Sequence, residues 1–261
     1  MKHLNQFITE YIINKKLDKP IDSESNYKYF PATRQELFKI TQELIDKGQY
    51  DLNCINTERI TDMNNLFIKA PDIDISQWDV SNVKDMKYMF VDCENFNCDL
   101  SNWDVSNVEN MEGMFNKCNS FKGKGLDKWN VNSVKITEFM FIKCDKFDCD
   151  LSNWNVSNIT NMQNMFQDCK NFKGKGLEKW NVSNVKYMSS IFKNCEKFDC
   201  DVSNWNIRNV IYMDYAFINC LSFTGKGLDK WNPQSLKDSE GIFDNCKSIK
   251  KYPKWYTDWF K

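Results

Sequence analysis

The residues of this chain best equipped for chemistry are its eleven cysteines. A thiolate is a nucleophile, a soft-metal ligand and a disulfide partner. Seven of them, at 93, 118, 144, 169, 195, 220 and 246, recur in alternating steps of 25 and 26 residues. Three more form the spacing Cys93-x4-Cys98, Cys144-x4-Cys149 and Cys195-x4-Cys200. That is not the C-x2-C pairing of common zinc sites, and the lone histidine, His3, is far from all of them in sequence. Equivalent positions in stacked layers point in parallel and do not face each other, which argues against bridges between layers. The reading is a ladder of free, buried thiols packing as small hydrophobes, made in a reducing compartment. With His3 as the only imidazole there is no Ser/His/Asp or Cys/His set. The glycines of the recurring "GKG" are too few for a phosphate-binding loop. No catalytic residue, cofactor or metal is expected.

The elements that place these thiols follow from a repeat. Tryptophans at 78, 103, 129, 154, 180, 205 and 231 keep the cysteine rhythm. Aligned on them are eight units of 16 residues: Leu52–Phe67, Ile75–Phe90, Leu100–Phe115, Leu126–Phe141, Leu151–Phe166, Leu177–Phe192, Val202–Phe217 and Leu228–Phe243. The extra residue of alternate units falls in "GKG", where glycine can take the positive φ of a bulge or turn. Elsewhere Cys98, Cys149 and Cys200 alternate with Leu100, Leu151 and Val202, a period of two that predicts a short strand. In the second half of the unit Val83, Met86, Met89, Phe90 and Cys93 predict one face of a helix. Ser81 is its N-cap, and Ser106 with Glu109 the capping box of the next. One strand and one helix per unit make a β/α solenoid of leucine-rich-repeat type. Seven steps at ~4.8 Å give it a length of about 34 Å.

The unit "DLSNWDVSNV..M..MF..C..F" resembles the BspA-like leucine-rich repeat surface protein family from about Asp51 to Ile249. Its members include bacterial surface proteins linked to adhesion, lipoproteins and phage-encoded proteins. The resemblance implies a non-enzymatic binding or structural role, and in style it is nearest the short phage-encoded members.

The organisation read is an N-terminal arm (1–30), a capping helix (31–50), the repeats (51–246) and an aromatic C-terminal cap (247–261). Thr33 with Glu36 opens the capping helix and Gly48 ends it. Trp255, Trp259 and Phe260 are suited to cover the last unit, and Leu4, Phe7, Ile8, Tyr11 and Ile12 give the arm an apolar stripe. Both groups are candidate anchors to a partner or to a second copy. The first 17 residues lack the apolar core and cleavage site of a signal peptide, so synthesis in the cytoplasm is expected, with incorporation into a virion open to it. Lys plus Arg (35) balances Asp plus Glu (36), which argues against a general nucleic-acid binder. No apolar run reaches the ~18 residues of a membrane span. A small-molecule substrate is not expected, and the expected partner is another protein.

Two columns have alternative readings. The Trp column is either a buried ladder, each indole N–H bonded to a carbonyl, or an exposed row that stacks on glycans. Asp99, Asp150 and Asp201 alternate along the stack with Lys124, Lys175 and Lys226. They either relieve like-charge repulsion between layers or form a periodic contact surface.

Overall fold

The computed structural model describes residues 26–259, and the side chains of residues 26–257. The arm's candidate residues Leu4, Phe7, Ile8, Tyr11 and Ile12 lie outside them, as do Phe260 and the Trp259 side chain. Two α-helices are present among the described residues: α1 (Arg34–Asp46) and α2 (Lys254–Trp259). Three single 3₁₀ turns, Leu126–Lys128, Leu177–Lys179 and Leu228–Lys230, follow the "GKG" triplets. The expected strand and helix of each unit are absent from the described residues. The units are built of turns and isolated parallel bridges.

The bridges run from unit to unit: Asp62 to Asp85, then Asn110, Ile136, Asn161, Tyr187, Tyr212 and Asp238. They fall inside the segment read as a helix, and the first half of the unit, read as a strand, carries no such ladder. Around each bridge lie four rungs. The N–H groups of Met86, Tyr88, Phe90 and Asp92 donate to the carbonyls of Asn110, Glu112, Met114 and Asn116 at 2.7–2.9 Å. The same four rungs join every later pair of units, all pointing the same way, and they also join the first unit to the second.

Backbone handedness is what excludes the helix. Tyr88 has φ 53° and Asp92 φ 59°, and every unit has left-handed residues at both of these places. Between them the chain makes i→i−3 turns, such as Met89 N–H to the Met86 carbonyl (3.2 Å). Each left-handed residue reverses the sense of winding, so no helix accumulates. A non-glycine residue there costs about 1–2 kcal/mol. The rungs and the packed core offset that cost. The apolar spacing of Val83 to Cys93 is real, since all of these side chains are buried, but alternating turns present it as well as a helix does.

The core is one continuous cluster built of parallel columns of like residues. Phe67, Phe90, Phe115, Phe141 and Phe166 stack at 5.5–5.7 Å between ring centroids. Each buried Phe is worth roughly 1.5–3 kcal/mol of transfer free energy. The Asp/Asn-x-Ser-Asn stretches supply the outer wall. In one, the Asp79 carboxylate accepts the Ser81 N–H (2.9 Å), so Ser81 sits in an Asx turn and caps no helix. Asn107 Nδ2 donates to the Ser81 carbonyl one unit back (2.7 Å). Ser106 is held in the same way by Asp104, and Glu109 turns outward to Lys135.

Both ends are closed. At the first unit, Thr33 Oγ1 accepts the Glu36 N–H (3.2 Å) and the Glu36 carboxylate accepts the Ala32 N–H (2.7 Å). Gly48, at φ 77°, ends α1. The ladder presents bare carbonyls at this end, and Arg34 Nε donates to that of Asn64 (2.6 Å). At the other end, Trp255 Nε1 donates to the Leu228 carbonyl (2.8 Å) and its ring stacks on Trp231.

The thiol ladder and the candidate interaction surface

The seven periodic thiols lie in the interior, and all are engaged. Each donates to a Phe carbonyl of an earlier unit: Cys93 to Phe67, Cys118 to Phe90, Cys144 to Phe115, and so on to Cys246 and Phe217, at 2.6–3.0 Å. Burial pushes the Cys93 and Cys246 thiols up to about 12 and the others of the ladder well above their ordinary value. Such thiols remain protonated and are poor nucleophiles. All eleven cysteines are free. Among the described residues no three His, Cys, Asp or Glu side chains converge to hold a metal.

The Trp column is the buried ladder. Its seven indoles from Trp78 to Trp231 are at most 4% exposed, and each Nε1–H donates to a carbonyl of the preceding unit at 2.7–3.2 Å. A glycan cannot stack on it, so the alternative of a lectin-like Trp row is corrected. Trp255, read as an anchor, is half-buried as the next rung of the same ladder.

The six charged candidates come together in pairs. Lys124 reaches Asp99 of the preceding unit (2.7 Å), Lys175 reaches Asp150 (2.8 Å) and Lys226 reaches Asp201 (2.9 Å). Hydrogen bonds from the lysine and from the following serine hold each carboxyl down at about 2. The lysines stand outward, their side chains about 70% exposed.

The glycines on either side of each lysine serve two different neighbours. A Cβ on Gly123 would lie 2.7 Å from Cys149 Cβ of the following unit. A Cβ on Gly125 (φ 97°) would lie 2.3 Å from the Ser101 backbone nitrogen of the preceding one. The triplet is therefore packed against the layers on both sides of it, and its lysine stands at the rim.

Sequence reasoning missed a second outer cluster. Tyr88 leans over Gly113, where a Cβ would fall 2.0 Å from its ring, and its hydroxyl donates to Glu112 (2.6 Å). Glu112 also pairs with Lys87 (2.7 Å). Burial, with Glu112 nearby, raises the Glu138 carboxyl above its ordinary value. The one signal available was Gly113, the only glycine among the first three units.

A family model described as "Mycoplasma protein of unknown function, DUF285" matches the chain twice, over residues 35–153 and 138–256. The chain belongs to this family. The two overlapping matches span the repeats and α1. No curated protein matches the chain. Among solved structures it is similar to a chain titled "Crystal structure of TLR13-ssRNA13 complex", at 10% identity and a TM-score of 0.27. The similarity covers 83% of this chain and 40% of that one. No helix among the described residues is long and apolar enough to cross a membrane.

Proposed function

We propose that this DUF285 protein is a non-enzymatic protein-interaction scaffold, a solenoid of stacked repeats that presents a periodic outer face. The observation that carries this reading is how its chemistry is distributed. The groups that could react are turned inward and hydrogen-bonded to carbonyls, while the outer rim repeats one Asp–Lys pair every 51 residues. Two layers separate successive pairs, about 10 Å at ordinary ladder spacing. A rigid row of paired charges at fixed intervals suits a broad protein partner better than a small substrate. The finer reading, a virion-associated or adhesion protein of phage type, rests on the resemblance of the repeat, with the arm as its attachment element.

The test is fractionation of the native protein, followed by charge reversal. Association with particles or with the cell surface is expected, and Lys124→Glu, Lys175→Glu and Lys226→Glu together should release it without loss of fold. A protein found wholly in soluble extract, with a triple variant that behaves identically, would count against the reading.

A further inference from the structure

The corner of the first four units differs from the rest of the stack. The second left-handed position of each unit is occupied by Lys69, Asp92, Lys117 and Lys143, then by Asp168, Asn194, Asn219 and Asn245. In the later units the choice is the favourable one, because Asn and Asp tolerate this conformation best among residues with a side chain. Those side chains also join layer to layer: Asn245 Nδ2 to Asn219 (2.7 Å), Asn219 to Asn194 (2.6 Å) and Asn194 to Asp168 (2.5 Å). Three of the first four units carry a lysine there instead, and two of them, Lys69 and Lys143, forgo the bond between layers as well.

Those three lysines line one cavity of about 880 Å³, beside the N-terminal cap. Its apolar wall is Ile45, Tyr50, Ala70 and Pro71, and Tyr50 is 46% exposed. Lys117 pairs with Asp92 (2.9 Å). Lys69 and Lys143 form no ion pair among the described residues and are exposed. At this corner of the stack only the first units keep a residue unfavourable for left-handed backbone, and there it is a lysine each time, which together with the cavity points to a site.

We infer that this groove docks an acidic segment of a partner protein, its carboxylates on Lys69 and Lys143 and an apolar side chain against Tyr50 and Pro71. Asp92 and Glu94 also line the cavity. A nucleic-acid backbone would bring a phosphate against them at each step, whereas a peptide can place neutral residues there. This surface rests on the scaffold reading and names where and what it binds.

The experiment is a fluorescence-anisotropy titration of the full chain with a fluorescein-labelled random copolymer of glutamate and tyrosine, at low salt. Lys69→Glu with Lys143→Glu should weaken binding at least tenfold. Tyr50→Ala should weaken it severalfold, and the remote pair Lys128→Glu with Lys179→Glu should leave it unchanged. Thermal melts confirm that each variant is folded. The inference is overturned if the copolymer does not bind, if the remote pair weakens binding as much, or if a single-stranded oligonucleotide binds tighter through the same lysines. Failure here leaves the fractionation result of the intact scaffold unaffected, so the two readings fall separately.

Discussion

Replacing Gly125 by alanine separates two costs that glycine avoids. Gly48 provides the reference: it has φ 77°, and a Cβ there would meet nothing within 4 Å. Gly48→Ala should therefore cost only the left-handed penalty, about 1–2 kcal/mol. Gly125→Ala carries that penalty at φ 97° and adds a Cβ 2.3 Å from the Ser101 nitrogen and 2.5 Å from the Leu100 carbonyl carbon. Both are backbone atoms of the adjoining layer, which cannot move without opening the Leu100–Lys124 hydrogen bond (3.1 Å). Forcing layers apart costs a further ~1–3 kcal/mol. The total, about 2–5 kcal/mol, corresponds to a fall of about 1–2 M in urea midpoint at a slope near 2–3 kcal/mol/M, against about 0.5 M for Gly48→Ala. Tryptophan emission in a urea titration reads both. Equal midpoints for the two variants would refute the claim that the triplet is shaped by the layer before it. Gly176 and Gly227, at φ 94° and 91° with the same close contacts, should behave as Gly125 does.

The carboxyls of Asp99, Asp150 and Asp201 should titrate near 2 by NMR, and changing the partner lysine to methionine should move each toward the ordinary value. Because these folded values are depressed, their contribution to stability is present above about 4 and disappears as pH falls toward 2; titration near 4 in the unaltered protein would contradict the pairing. The thiols of the ladder show the opposite sign. Their folded values are raised, so stability is full below about 9 and falls as pH rises toward 12. A disulfide reagent at pH 8 should modify them only after unfolding, and rapid modification of seven native thiols would rule out the ladder. Gly113→Ala should destabilise strongly and Tyr88→Ala should relieve the part due to the clash, since the nearest atoms all belong to that ring, leaving the left-handed penalty at φ 58°; additive effects in the double-mutant cycle would argue otherwise. Native tryptophan emission should be blue-shifted and unquenched by soluble glycans, given that seven of the nine indoles, Trp78 to Trp231, are at most 4% exposed.

The period, the burial of Trp78 to Trp231, the free thiols, the Thr33–Glu36 box and the place of "GKG" could all be read from residue spacing, because each depends on side chains that recur. The local conformation could not. Tyr88, Phe139, Lys117 and Lys143 hold left-handed backbone with side chains that give no warning of it, and Val83 to Cys93 keep a helical apolar period within alternating turns. The pairing of Lys124 with Asp99 was visible as alternation of charge along the stack. The lysines of the cavity were not, because 69, 117 and 143 look like ordinary surface residues until the backbone shows what their position usually demands.

The "GKG" triplet also governs how such a chain can change length. Each triplet layer abuts an acidic layer on its N-terminal side, whose Asp receives its lysine and whose Ser backbone meets its second glycine. Acidic layers tolerate one another, since the units beginning at Leu52, Ile75 and Leu100 adjoin directly. Loss of one acidic layer between two triplets would instead bring Lys124 and Lys175 into neighbouring turns with no carboxylate between them. Loss of 51 residues would restore the triplet's Asp–Lys and glycine–serine contacts. Downstream of the third unit the constraint on length is therefore one of neighbours: a triplet layer must follow an acidic one, and recombination that sets two triplets side by side leaves a lysine without its carboxylate and a glycine without its serine.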